Sequence, residues 1–228
     1  MTATETGSPG TETQAGTMAD TGTTDATSTD PTGGTDTSGS PGTTAGDDTS
    51  STSGPVPVER ILMFASAPVN GNLLAAGGLA TARASADALC ADALDKLPGQ
   101  KCPDVHALLS INSNDEIADM PANYGVPQDL PVEGPTGVEV DVDFAGLLDG
   151  SIAVSPVDAD VASGEVNLWS GSGISGEVLN TTCNGWTATS GAGPLGFGSA
   201  GQPSSTTTWL AAISGSCNTA NELICICW

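Results

Sequence analysis

Six cysteines, all of them after residue 89, constrain this 228-residue chain more than any other feature. Their number is even and their surroundings are rich in Thr, Ser and Gly, which predicts disulfides formed in an oxidising compartment. Four of them (Cys183, Cys217, Cys225 and Cys227) fall in the last sixty residues, together with all four tryptophans, Trp169, Trp186, Trp209 and Trp228. A chain poor in aromatics has put its largest apolar side chains where its cross-links are. That is how a loop-rich extracellular domain compensates for little regular structure. Zinc is the competing use of cysteine. No pair has Cys-x-x-Cys spacing, however, and His106 is the sole histidine.

Charge narrows the partners. Twenty-seven acids against four bases give a net charge of −23. Residues 1 to 54 hold eight of the acids and no base, so the remainder keeps nineteen acids against four bases and is itself acidic. Binding phosphate or sulfate polymers needs Lys and Arg to displace counterions, which excludes nucleic acid, heparin-like polyanions and anionic membrane surfaces. Cations are compatible with such a chain.

No stretch has the apolar length of a membrane span. The opening Met1-Thr-Ala-Thr-Glu5 has neither the basic start nor the apolar centre of an export signal. The disulfide reading therefore expects an export signal upstream of Met1. A Thr/Gly/Asp-rich run is the usual spacer behind a bacterial lipoprotein's acylated cysteine, so membrane attachment is expected only through such an unseen N-terminal lipid anchor.

Residues 1–56 are filled with Thr, Gly, Ser, Asp and Pro and cannot bury enough apolar surface to offset chain entropy. They are expected to be a disordered acidic linker that holds residues 57–228 away from a surface. Within that domain Arg60–Ser66 reads as a buried strand. Thr81–Leu97 reads as a helix whose apolar face carries Ala86, Cys90, Ala93 and Leu97, stopped by Pro98-Gly99. Val105–Ile111 is the next strand. Val138–Phe144 alternates Val138, Val140 and Val142 with Glu139, Asp141 and Asp143, a half-exposed strand or extended segment. Phe144–Gly150 fits one helical turn, Ile152–Val154 and Val166–Trp169 short strands, and Thr187–Thr208 a long loop. Leu223–Trp228 closes the domain as a strand with Cys225 and Cys227 on one face. One helix, short strands, long loops and cross-links predict a single α+β domain.

The order of several blocks resembles the bacterial relatives of the endostatin domain, whose fold is C-type-lectin-like. Gly71-Asn72-Leu73 followed by Ser85-Ala86-Asp87-x-x-Cys90 is similar to the first strand and cysteine-bearing helix of that family. Ala107-Leu108-Leu109-Ser110 resembles the strand that follows, and Phe144-x-x-Leu147-x-x-Gly150 a segment that usually begins with Trp. The most specific block is Leu168-Trp169-Ser170-Gly171 followed by Thr182-Cys183-Asn184-Gly185-Trp186. Ser216-Cys217, with Cys225 eight residues on, completes the series. The resemblance implies disulfides Cys90–Cys225 and Cys183–Cys217. Cys102 and Cys227 lie outside the family's usual four and are expected to pair with each other. The family's binding activities do not carry over. The Trp-Asn-Asp and Glu/Gln-Pro-Asn/Asp runs of sugar-binding C-type lectins have no counterpart here. Nor do endostatin's basic patch and its histidine zinc site.

Candidate chemistry is sparse. A Ser-His-Asp hydrolase would have to use His106, with Ser110 as one candidate nucleophile, but no Gly-x-Ser-x-Gly elbow stands in the required context. Asp141 with Asp143, or Asp158 with Asp160, are candidate acid/base pairs of a glycosidase, although close carboxylates in so acidic a chain usually form a solvated face. Asp158, Asp160 and Glu165, with Ser163, gather hard oxygen ligands within eight residues and make a candidate calcium loop, without EF-hand spacing. Trp169 and Trp186 stand beside the cross-link positions, which favours core packing over sugar stacking. Leu195 and Phe197, among the glycines of Thr187–Thr208, are the most exposable apolar residues and the candidate binding edge. The expectation is a non-catalytic extracellular or cell-surface module that binds a protein or glycan, with calcium as the one candidate cofactor. A hydrolase of surface polymers and a structural envelope protein are the alternatives.

Overall fold

The structure, a computed structural model, describes residues 59–191 and 196–228. The linker expected over residues 1–56, and Leu195 of the candidate binding edge, lie outside the described residues.

The strand expected at the start of the domain is β1 (Ile61–Ala65). A short helix, α1 (Leu73–Gly77), begins where the Asn72 side chain accepts the Ala75 N–H. The main helix, α2 (Ala82–Leu94), is Ala-rich and capped in the same way by the Thr81 hydroxyl. Its buried face is Ala82, Ser85, Ala86, Cys90, Ala93 and Leu94, residues recurring at three- and four-residue spacing. There follow β2 (Val105–Ala107), α3 (Met120–Tyr124), β3 (Val132–Glu133), β4 (Glu139–Asp141), β5 (Leu168–Trp169), β6 (Phe197–Gly201), β7 (Ile213–Ser216) and β8 (Glu222–Cys227). Helices around a mixed sheet make the fold α+β.

The sheet is built around β8. Antiparallel β1 takes one of its edges, with Leu62 opposite Cys227 and Ala65 opposite Ile224. The other edge is shared end to end. Antiparallel β2 pairs with Cys225–Cys227, and parallel β5 pairs with Glu222 and Leu223. Beyond β1 come β3 and β4; beyond β5 come β6 and β7. Every residue of β8 is buried, because both faces of the sheet are covered. Ile224 and Ile226 join Ile61, Met63, Leu108, Trp209 and Trp228 in one apolar cluster. Leu223, Cys225 and Cys227 join Leu62, Phe64, Trp169, Trp186 and the buried face of α2 in the other. Alternation along one six-residue strand thus feeds two cores.

Three disulfides join Cys90 to Cys225, Cys102 to Cys227 and Cys183 to Cys217, with Cα atoms 5.5, 5.6 and 5.6 Å apart. The first ties α2 to β8, and the second ties the turn after α2 to the end of the same strand. Such cross-links point to an oxidising, extracellular setting. No helix among the described residues is long and apolar enough to cross a membrane.

Several expected elements differ. The strand expected over Val105–Ile111 stops at Ala107: the Leu108 N–H still donates to Ile224 O, the next residue of β8 in that register, but Ser110 turns its amide away to Ser170 O. Ile152–Val154 is not a strand: Ala153 and Val154 donate instead to Val140 O, along the outer side of β4. The alternation over Val138–Phe144 does not set the burial. Val138 and Val142 are exposed, while Val140 and Asp141 are buried. The strand is only three residues long and its register slips against β3, so the period-two pattern breaks. The expected Thr187–Thr208 loop contains β6, in which Gly198, Ser199, Ala200 and Gly201 after Phe197 have little strand propensity. Packing decides it: a Cβ on Gly201 would collide with the Trp209 carbonyl, so only glycine lets the two backbones meet.

Candidate binding surface

The Thr182–Trp186 block folds around its disulfide. Cys183, Asn184, Gly185 and Trp186 have φ of 50°, 55°, 65° and 63°, a single turn of left-handed helix. For the three residues other than glycine this conformation costs about 1–2 kcal/mol each, and it persists only because its surroundings fix it. Cys183 is pinned by Cys217. Trp186 is fully buried, and its indole N–H donates to Ser110 O at 2.9 Å. The Trp169 indole N–H donates to Val69 O at 2.9 Å, and the two rings meet edge to face with centroids 5.6 Å apart. Both tryptophans are therefore core residues. Glycines admit the disulfide: a Cβ on Gly198 would lie 2.8 Å from both Cys183 Sγ and the Trp169 ring, and one on Gly71 would also strike Cys183 Sγ.

The outer side of this block is uncharged. Asn184 and Thr187 are exposed and hydrogen-bonded to each other, Asn184 Nδ2 to Thr187 Oγ1 at 3.2 Å and Thr187 Oγ1 to Asn184 O at 2.7 Å. Phe197 opens β6 and is 37% exposed, with Leu179 equally exposed and Ile213 at 45%. From Val178 to Asn221, 44 consecutive residues carry no Asp, Glu, Lys, Arg or His, in a chain of net charge −23. Sequence reasoning centred on the loop missed this, although the charge gap is visible in the sequence. It also missed the left-handed turn, for which Asn184-Gly185 was the available signal.

A second group of polar residues surrounds His106. Its Nδ1 lies 3.1 Å from Asp87 Oδ2, and its ring stacks between Tyr124 and Trp228, at centroid distances of 4.6 and 5.5 Å. Asp87 Oδ1 also accepts the Ala107 N–H at 2.8 Å. Arg83, mostly buried, donates to Ala107 O, Leu109 O and both oxygens of Asp115. Burial works against its charge, but Asp115 and Asp87 outweigh burial and hold the guanidinium more firmly protonated than usual. Burial beside the Asp115 carboxylate pushes the Tyr124 hydroxyl up to about 12, against the pull of Arg83. The group clamps α2 to β2 and α3. Ser110 lies apart from it: its hydroxyl is buried, accepts the Ile117 N–H and bonds Ser172 Oγ and Gly176 O.

The carboxylates singled out from the sequence have separate partners. Asp158 accepts the Ser155 hydroxyl at 2.6 Å, Asp160 accepts the Thr136 hydroxyl at 3.1 Å, and the Glu165 side chain is exposed. Among the described residues no group of three or more His, Cys, Asp or Glu side chains could hold a metal ion. Asp143 caps the Gly146 N–H, and Asp141 accepts the Val142 N–H at 2.7 Å. Burial raises the Asp141 carboxyl above its ordinary value, aided by Asp149 and Asp143 and opposed by the Val142 amide.

No protein-family model matches the chain, and no curated protein matches it.

Proposed function

We propose that residues 57–228 form an endostatin/C-type-lectin-like module that binds a protein or glycan at the cell surface, on a stalk held by an N-terminal lipid anchor. The fold part of this reading is supported by the pairing of β1 with β8 and by the disulfide between the main helix and β8. The binding part is carried by one observation. A strongly acidic chain keeps 44 residues free of charge, and that segment exposes Leu179 and Phe197 on a disulfide-fixed frame. Exposed apolar side chains within a neutral, polar surface mark a recognition site, and a pre-fixed frame reduces the ordering lost on binding.

The test is a screen of glycans and surface proteins with the full chain, followed by Phe197→Ala and Leu179→Ser. Captured ligands should lose at least tenfold in affinity with either variant. Unchanged affinity in both variants would place the site elsewhere. The hydrolase reading has one observation in its favour, the Asp87–His106 contact. It lacks a nucleophile at Ser110, whose hydroxyl is engaged in the core. Turnover of a surface polymer that disappears in His106→Ala would reinstate it.

A further inference from the structure

The three disulfides are not equally placed. Cys90, Cys225, Cys183, Cys217 and Cys227 are fully buried, whereas Cys102 is half-buried. It lies in the turn after α2 and lines a cleft of about 440 Å³ together with Leu94, Asp95, Leu97 and Gln100. Residues 98–102 form most of the wall of that cleft. Pro98, Gly99, Lys101 and Pro103 are exposed, so this short segment contributes little to the core. Both of its ends are fixed. The Leu97 N–H donates to Leu94 O at the end of α2, and Asp104 and Trp228 exchange backbone hydrogen bonds at 3.5 and 3.2 Å. Between those ends, among the described residues, two side chains tie the segment to the rest of the domain. Gln100 accepts from Arg60 Nη2 at 2.9 Å and donates to Pro135 O at 3.4 Å, both part-buried bonds that water can replace. The other tie is Cys102, through its bond to Cys227.

We infer that the Cys102–Cys227 bond is a latch operated by small thiols, and that opening it releases residues 98–103 without undoing the fold. A thiolate reaches Cys102 from the cleft but has no such access to buried Cys227. Its sulfur bonds to Cys102 Sγ, the Cys102–Cys227 bond breaks, and Cys227 Sγ leaves with the electron pair and takes up a proton. A second small thiol then frees Cys102 as a thiol. The two small thiols depart as their own disulfide and so supply both electrons. The domain keeps its other fastenings. Cys90–Cys225 still ties α2 to β8, and β1, β2 and β5 remain paired with β8. What changes is local. The wall of the cleft comes away, and Leu94, buried while the latch is closed, becomes accessible with Leu97 at the end of α2. An oxidising setting keeps the latch shut, and a thiol-rich one opens it. The latch is independent of the ligand-binding reading, which rests on residues 178–221.

Trypsin reads the latch directly, because the full chain offers it only four sites, Arg60, Arg83, Lys96 and Lys101. Lys101 lies inside the latched segment, while Arg83 is held in its clamp with Asp115. Brief treatment of the full chain with reduced glutathione, followed by alkylation and peptide mapping, should find Cys102–Cys227 open and the other two bonds closed. Cleavage after Lys101 should then be about tenfold faster, with the Arg83 site still resistant. Oxidised glutathione should restore the original rate. The paired change Cys102→Ser with Cys227→Ala should give the fast cleavage with no thiol present. If that variant does not fold, the thiol-treated parent decides alone. A Lys101 site that is cut no faster once the bond is open overturns the inference. So does a bond that opens only together with the fold, shown by cleavage after Arg83, since it would then be a staple of the core. Opening of Cys90–Cys225 or Cys183–Cys217 first overturns it as well.

Discussion

Arg83 grips Asp115 with two prongs, Nε to Oδ2 at 3.1 Å and Nη2 to Oδ1 at 2.7 Å, while its remaining donors reach the Ala107 and Leu109 carbonyls. One planar side chain on α2 thereby satisfies the backbone just where β2 ends and fixes the segment leading to α3. Arg83→Ala leaves the Asp115 carboxylate half-buried without its counter-charge and two carbonyls without donors, a loss of about 3–5 kcal/mol. Arg83→Lys keeps the charge but not the fork, and should recover less than half of it. Urea denaturation of the three proteins gives the comparison; equal midpoints for Arg83→Ala and the parent would refute the clamp.

The phenol beside that clamp gives a direct readout, since Tyr124 is the chain's only tyrosine. Its folded-state value of about 12 lies above the ordinary 10. The folded protein therefore binds more protons than the unfolded chain between those values. The resulting stability is complete below pH 10 and is lost as pH rises toward 12. The phenolate absorbance should appear with a midpoint near 12 in the native protein and near 10 in denaturant. A native midpoint near 10 contradicts the burial of this hydroxyl.

Asp141 works in the opposite direction for stability at neutral pH. Its folded carboxyl is raised above 3.8, so deprotonation is easier in the unfolded chain. The penalty is absent below the ordinary value and is fully present above the raised one. Asp141→Asn keeps an oxygen that can accept the Val142 amide. It should gain stability over the parent as pH is raised through that window toward 7, and lose the advantage at pH 3. Thermal unfolding across that range measures the difference; a gap that does not change with pH would contradict it.

Reduction should proceed in an order set by access. Cys102 is half-buried, whereas the other five half-cystines are fully buried. Limited treatment with a small thiol, followed by alkylation and peptide mapping, should label Cys102 and Cys227 before any other pair. Earlier labelling of Cys183 or Cys90 would mean that the core opens more readily than its burial indicates.

Gly201→Ala tests why β6 is a strand. Its Cβ would meet the Trp209 carbonyl, a backbone group that cannot rotate away, so a loss of about 3 kcal/mol is expected. Ala at exposed Gly191, whose nearest neighbour is the end of the Ser216 side chain, should cost far less.

How legible was this in the sequence? Where a pattern was local and apolar, it was clear. Ile61–Ala65, the Ala-rich α2 with Cys90 on its buried face, and Cys225 and Cys227 on one side of β8 follow from periodicity. The disulfide pairs came from the resemblance and from the two cysteines it left over. What escaped notice has a common cause. Strands β6 and β7 consist of Gly, Ser and Ala with one Phe and one Ile, so their identity lies outside them, in the Trp169 ring and the Trp209 backbone they pack on. The Val138–Phe144 alternation misled for the same reason, because the register of β4 is set by β3 and by Ala153 and Val154. At the surface, loop composition drew attention to Phe197, but not to the charge gap or the left-handed turn beside it.

The position of β8 has a consequence for biogenesis. This strand follows every other strand in chain order, yet it is the one to which β1, β2 and β5 all attach. During vectorial synthesis β1, β2 and β5 emerge before the strand that joins them, and Cys90 and Cys102 emerge more than a hundred residues before their partners. The flanks, β1 with β3 and β4, and β5 with β6 and β7, can pair earlier. They join only when residues 222–227 arrive, which makes the Cys90–Cys225 and Cys102–Cys227 cross-links late events. Until then the only cysteines Cys90 and Cys102 can meet are each other, Cys183 and Cys217, so oxidation faster than chain completion favours non-native pairs.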